Sequence, residues 1–228
     1  MKVENEYLVF DKEKIKLKKI TGHRFAELSG KDGFKTKGDC LVNMFLNIKE
    51  NVDPYYKLRG EIAEALALTY LRKKYPIVKW TYHTTEGENY DMFTESKNYG
   101  GVIDIDGNDY EIIVEVKGKS MKNKKWILEK GNIGEEWQAL HYGNLKQSKK
   151  VMMVYVFFEE KAEEAMKNHK RFSLKDIDIK EVELEIDYDM IDWNLEYCLS
   201  YRDECYENKR IPIGDISRNK LIEIGVKI

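Results

Sequence analysis

The chain has 228 residues, 42% of them hydrophobic and 35% charged, with a net charge of −2. That is enough apolar material for one full core, and too little charge imbalance for a disordered or strongly basic chain. No apolar run approaches the ~20 residues of a membrane span, and three cysteines do not make an even disulfide framework.

The opening Met-Lys-Val-Glu-Asn-Glu lacks the apolar stretch of a secretory signal, so a single domain over residues 1–228 in a reducing cytoplasm is expected. Thr21 reads as the N-cap of a short helix ending at Ser29-Gly30, and a second helix is expected over Asp39 to Lys49. Asp53-Pro54 opens a long helix to Tyr75, since proline is tolerated at the first helical position and Pro76 follows the last. Leu58, Ile62, Ala65 and Thr69 form its predicted buried stripe. Strands are expected near Ile77 to His83, Gly101 to Ile105 and Tyr110 to Lys117, followed by a helix over Gly134 to Gln147. The nearly unbroken apolar run Val151 to Phe158 reads as a central buried strand. A helix from Glu160 to Asn168, a strand around Ile179 to Ile186 and a long helix over Tyr188 to Asn208 complete an α/β sandwich, with a core at about 18–158 and an extension at 159–228. Lysines cluster at 12–19, 31–37, 117–125 and 146–150 and alternate with acidic stretches such as Glu181 to Asp192. This pattern suits either a basic groove with an acidic exterior or an ordinary solvated surface.

The densest signal is at residues 101–117, where an acidic residue, Asp104, and a turn precede an apolar strand bearing Glu115-Val116-Lys117. Alternation puts Glu115 and Lys117 on one face of that strand. Two carboxylates beside an ammonium are what a hydrolase needs to hold a hard divalent cation and position water, so metal-dependent phosphodiester cleavage is the leading expectation. On a strand alone the same triplet also reads as a cross-strand ion pair.

The pattern resembles the PD-(D/E)XK nuclease superfamily, whose core hairpin carries an acid and then Asp/Glu-x-Lys. Three further stretches fall in the order shown by its lambda-exonuclease-like and YqaJ-like viral recombinase branch, with RecB-type nuclease domains as near relatives. Lys19-Ile-Thr-Gly-His-Arg-Phe-Ala-Glu-Leu-Ser-Gly30 with Gly33-Phe-Lys-Thr-Lys37 is similar to that branch's opening helix and basic loop. Arg59-Gly-Glu-Ile-Ala-Glu64 is similar to its Gly-x-x-x-Glu helix, and Glu136-Trp-Gln-Ala-Leu-His-Tyr142 to its glutamine helix. The resemblance implies a restriction-endonuclease-like core, a mixed central sheet flanked by helices. It implies a Mg2+-dependent deoxyribonuclease, with Mn2+ able to substitute, that degrades one strand of duplex DNA from a 5′ end during recombination or repair. In this branch, often phage-encoded, the enzyme is often a ring-shaped trimer working beside a single-strand annealing protein.

Carried onto this chain, Asp104, Glu115, Lys117, Gln138 and Tyr142 are the catalytic candidates. Asp104, Glu115 and the Val116 carbonyl, with Glu64 directly or through water, are the metal ligands. Lys19, His23, Arg24, Lys35, Lys37 and Lys119 are candidates for gripping DNA phosphates. Gln138 and Tyr142 are four apart and share a helical face, whether to orient water, Lys117 or a phosphate or simply to pack. Family spacing favours Glu64 as the helical acid, while Glu61 sits closer to the edge of the predicted apolar stripe. A two-residue turn at Gly107-Asn108 would pair Asp104 with Glu111 and leave Glu115 four residues, about 13 Å, further along. Sharing one ion at about 2.0 to 2.6 Å then requires splayed strands or a bulge, for which Gly100-Gly101 is a candidate. Asp106 is the fallback acid. Two alternatives remain open: a site-specific or structure-specific endonuclease with the same core, or a DNA-binding protein that kept the fold without catalysis.

Overall fold

A computed structural model describes residues 1–11, 13–18, 20–48, 52–74, 84–86, 93–95, 101–104 and 111–226, with the backbone alone for 84–86, 93–95, 101–104, 111 and 146. The chain begins with strands β1 (Lys2–Glu4) and β2 (Tyr7–Val9) and helices α1 (Gly22–Leu28), α2 (Lys37–Phe45) and α3 (Pro54–Lys74). Short strands β3 (Thr84–Glu86) and β4 (Phe93–Glu95) precede a hairpin of β5 (Gly101–Asp104) and β6 (Glu111–Ser120), then α4 (Lys124–Lys130), α5 (Ile133–Lys146) and β7 (Lys150–Phe158). The remainder is α6 (Glu160–Lys167), β8 (Ile177–Leu184), α7 (Tyr188–Glu207), β9 (Arg210–Pro212) and α8 (Arg218–Glu223).

The central sheet has the order β5-β6-β7-β8, with antiparallel outer pairs and a parallel β6–β7 pair. A parallel pair needs a crossover connection, and α4 and α5 form it. Val151, Met153, Tyr155 and Phe157 of β7 enter a core with α1, α2, α5 and α7. Met152, Val154, Val156 and Phe158 enter a second core with α3 and α6 on the opposite face. Burial on both faces explains why β7 shows no polar alternation. This is the mixed sheet flanked by helices that the sequence implies. Two small sheets lie apart from it, β1-β2-β9 and β3-β4.

Several boundaries differ from the sequence reading. Helix α2 starts at Lys37 rather than Asp39, because Thr36 is its N-cap: the Thr36 hydroxyl accepts from Asp39 N at 3.2 Å and the Asp39 carboxylate accepts from Thr36 N at 3.4 Å. The stripe of α3 is also corrected. Its buried residues are Ala63, Ala67 and Leu71, whereas Ala65 and Thr69 are exposed. The cause is Gly118 on β6, where an added Cβ would lie 3.0 Å from Arg59 O and 3.1 Å from the Ala63 Cβ. So close an approach admits only the smallest side chains of the helix. Strand β6 continues past Lys117 to Ser120, helix α4 was not foreseen, and the strand expected near Ile77 to His83 lies outside the described residues.

On the other face, α5 meets β7 at Gly143, where an added Cβ would fall 2.3 Å from Val151 Cγ2 and 2.8 Å from the Tyr188 hydroxyl. Gly143→Ala is therefore expected to destabilise the protein by about 1–3 kcal/mol through overpacking, read as a lower urea midpoint at unchanged slope. An unchanged midpoint would show that this contact relaxes without cost.

Candidate active site

Strand periodicity places Glu115, Lys117 and Lys119 on one face of β6, beneath α5. Glu115 is 1% exposed. One of its oxygens pairs with Lys117 Nζ at 2.7 Å, and the other, Oε2, is buried without a hydrogen-bond partner among the described residues. Burial holds its pKa above the ordinary carboxylate value, the Lys117 charge opposes this, and Glu135 adds to it. Lys117 Nζ also donates to Gln138 Oε1 at 3.1 Å, and Gln138 Nε2 donates to the Tyr142 hydroxyl at 3.2 Å. Four of the sequence candidates thus form one continuous chain of contacts, Glu115–Lys117–Gln138–Tyr142. Tyr142 is held from the far side by Gly22 of α1, where an added Cβ would fall 2.7 Å from the Tyr142 ring and hydroxyl.

Glu64 comes from α3, which packs on the opposite side of the sheet. Burial, then the charges of Glu115 and Glu61, push its pKa up to about 7, with Lys117 opposing. Glu61 is exposed and lies 3.9 Å from Lys57. Of the two helical acids, Glu64 is therefore the one at least half withdrawn from solvent and electrostatically coupled to Glu115. The β5 register pairs Asp104 with Glu111 without interruption over four residue pairs, so no bulge brings Asp104 level with Glu115 within the described ladder. Asp106 and the turn lie outside the described residues. Val116 sits in β6 opposite Val154. The donor set of Glu115, Glu64 and a main-chain carbonyl is all oxygen, and with the buried unpartnered Oε2 it fits a hard divalent cation.

A cleft of about 660 Å³ opens beside Lys117 and Gln138 and is also lined by Lys18, His23, Arg24 and Glu27. His23 and Arg24 thus reach the same space as the β6 residues. Lys35 is 2.7 Å from Glu27, and His23 Nε2 is 2.9 Å from the same oxygen. Burial alone would raise the Glu27 pKa, but these two partners hold it down at about 2. His23, Glu27 and Asp32 are close enough for a metal, yet the Lys35 ammonium already pairs with Glu27. Lys37 is engaged elsewhere, 4.4 Å from the Tyr201 ring and 3.3 Å from Asp215. Lys119 pairs with Glu135 at 2.5 Å, and Lys19 lies outside the described residues.

Three contributors escaped the sequence reading. Among the described residues, Glu135 of α5 has a buried Oε2 without a hydrogen-bond partner, and Tyr155, level with Lys117 on β7, has a buried hydroxyl likewise without one. Burial first, then the charges of Glu135, Glu136 and Glu115, raise the Tyr155 pKa. Glu135 precedes Gln138 by three residues and so shares its helical face, which is the signal that could have found it. Gly118, immediately after the Glu-x-Lys triplet, could have been read as a close backbone approach.

Sheet order, the Glu-x-Lys strand and the flanking helices define a restriction-endonuclease-like fold. Among solved structures, this chain is similar to an alkaline exonuclease, LHK-Exo, from Laribacter hongkongensis, with a TM-score of 0.53, 12% identity, and coverage of 83% of this chain and 90% of that one. The same enzyme in complex with dAMP gives a TM-score of 0.54 at 12% identity and the same coverage. A phage-related exonuclease from Haemophilus somnus 129PT gives 0.55 at 12% identity, covering 86% of this chain and 96% of that one. The fold is thus the one found in these exonucleases, as the sequence resemblance implies. No protein-family profile and no curated protein matches the sequence.

Beneath the site, His141 is fully buried, its ring 5.0 Å from Phe25 and 6.0 Å from Tyr142 between centroids, and burial lowers its pKa to about 3. The fold refuses a proton that the unfolded chain takes up near pH 6.5, so this histidine's contribution is intact above pH 6.5 and declines as pH falls toward 3. The raised carboxylates Glu64 and Glu115 act with the opposite sign. His141→Leu is expected to remove the histidine contribution and to gain about 2 kcal/mol relative to wild type between pH 7.5 and pH 5, measured by urea unfolding at both pH values. Parallel wild-type and variant profiles would contradict a neutral buried His141.

Proposed function

We propose that the protein is a metal-dependent deoxyribonuclease that degrades one strand of linear duplex DNA from a 5′ end. The carrying observation is the contact chain Glu115–Lys117–Gln138–Tyr142, which fixes an ammonium, paired to a buried carboxylate, in the lining of a basic cleft in a fold shared with exonucleases.

Glu115, Glu64 and the Val116 carbonyl would hold Mg2+, or Mn2+ in its place. The ion when bound supplies charge neutralisation at the scissile phosphate and a more acidic water. Lys117, fixed by Glu115 and Gln138, stabilises charge developing on the phosphate oxygens. Gln138 keeps Lys117 from swinging out of the cleft, and Tyr142 keeps the Gln138 amide oriented. Arg24 and His23 grip a phosphate in the cleft, with Arg24 suited to two parallel hydrogen bonds. Asp104 joins the ligands if β5 pairs four residues further along, an even shift that leaves every side chain on its own face.

With Mg2+ and 5′-phosphorylated linear duplex DNA, wild type is expected to release mononucleotides and to leave a closed circle intact. Lys117→Ala is expected to slow this at least ~100-fold, the scale of losing one charge-stabilising group. Nicked or linearised circles would instead support an endonuclease, and intact DNA in every lane a binding protein. Calorimetric titration with Mg2+ tests the ligand set: Glu115→Gln and Asp104→Asn are both expected to weaken binding, and unchanged affinity for Asp104→Asn would remove that residue from the set.

A further inference from the structure

A second cleft, of about 780 Å³, lies beyond Lys119 and is lined by Phe34, Trp126, Ile133, Lys31 and Lys130 as well as Lys119 itself. Its composition is unusual for a surface. Phe34 is 97% exposed, Trp126 57% and Ile133 53%. Leaving large apolar side chains in water forgoes stabilisation that burial would supply, so a cluster of them points to a ligand.

The loop that carries Phe34 is braced. Asp32 Oδ1 accepts from Phe34 N at 2.7 Å and from Lys35 N at 3.2 Å. Lys31 N and Asp32 N both donate to Ala26 O, at 2.9 and 3.2 Å. Helix α5 closes against the loop from the other side, since an added Cβ on Gly134 would lie 3.3 Å from Lys31 O. Phe34 is therefore held outward on a fixed backbone, and a pre-positioned ring loses little freedom when something stacks on it.

We propose that this cleft is a stacking platform for a stretch of single-stranded DNA, with bases against Phe34 and Trp126 and phosphates along Lys31, Lys119 and Lys130. The inference rests on the nuclease reading, which it deepens. Continuity with the candidate active site comes from β6, where Lys119 follows Lys117 on the same face, about 7 Å further along. A chain leaving Lys117 in that direction arrives at the second cleft. The lysine rim complements a phosphate backbone, although Glu135 compensates part of the Lys119 charge. Exposed flat rings select for unpaired bases, because in a duplex each base face is already covered by its neighbours.

The test uses the full chain carrying Lys117→Ala, so that binding is read without cleavage, with fluorescein-labelled oligodeoxythymidylate and a matched abasic oligomer followed by anisotropy. Adding Phe34→Ala and Trp126→Ala is expected to weaken thymidylate binding about tenfold or more and to erase the preference for thymidylate over the abasic strand. Phe34→Leu with Trp126→Leu, which keep apolar bulk without a flat ring, are expected to behave like the alanines. Equal binding of both oligomers by every variant, or no binding by the parent, overturns the platform. So does unchanged thymidylate binding with concentration-dependent self-association that the alanines abolish, which would make the patch an interface between copies. The nuclease reading fails separately: wild type that binds thymidylate through these rings but leaves linear duplex DNA intact refutes cleavage while leaving the platform standing.

Discussion

A carboxylate sealed from water beneath α5 governs the rest of this site. Taking Glu115 out of solvent costs several kcal/mol unless its charge is answered, and the single ammonium of Lys117 answers one of its two oxygens. Glu64 draws near from the other side of the sheet and is itself driven toward protonation by the same congestion. Glu135 adds a third acid, only partly offset by Lys119. Such a surplus of buried negative charge is what a divalent cation relieves, so the local electrostatic stress and the proposed chemistry have one origin.

Backbone proximity keeps this arrangement tight. Gly118 lets α3 settle onto β6 through Ala63 and so fixes how far Glu64 stands from the strand. Gly143 does the same for α5 over β7, which sets the height of Gln138 above Lys117. The amide can bridge an ammonium and a phenol only at that spacing, since hydrogen bonds weaken steeply with misalignment.

The parts of the fold legible in the sequence were those with strong local signals: the apolar run of β7, the proline-opened α3, the long α7, and the Glu-x-Lys strand with its glutamine helix. The stripe of α3 was legible only in part: Ile62 does pack against the core, but Ala65 and Thr69 face solvent, and the contact of Ala63 with Gly118 of a distant strand has no signal within the helix. The start of α2 lies two residues before the expected Asp39, and the reciprocal bonding of Asp39 with Thr36 marks the boundary. Strands β1, β2 and β9 are three residues each, too short for a pattern to announce them, and β9 joins β2 from the far end of the chain. Within the site, Glu115, Lys117, Gln138 and Tyr142 were read from spacing. Tyr155 was not, because its proximity depends on the parallel register of β6 with β7, and Glu135 was passed over although it shares a helical face with Gln138.

That register has a further consequence. Glu115 and Lys117 lie on β6, Gln138 and Tyr142 on the crossover helix, and Tyr155 on β7, so these five groups belong to one strand–helix–strand unit spanning 111–158. The helices that bring Glu64, His23 and Arg24 are added from outside it. Supersecondary units of this kind tend to open and close as wholes, whereas Glu64 of the proposed metal site and His23 and Arg24 of the cleft depend on α3 and α1 docking onto that unit, α1 through Gly22 against Tyr142 and α3 through Ala63 against Gly118.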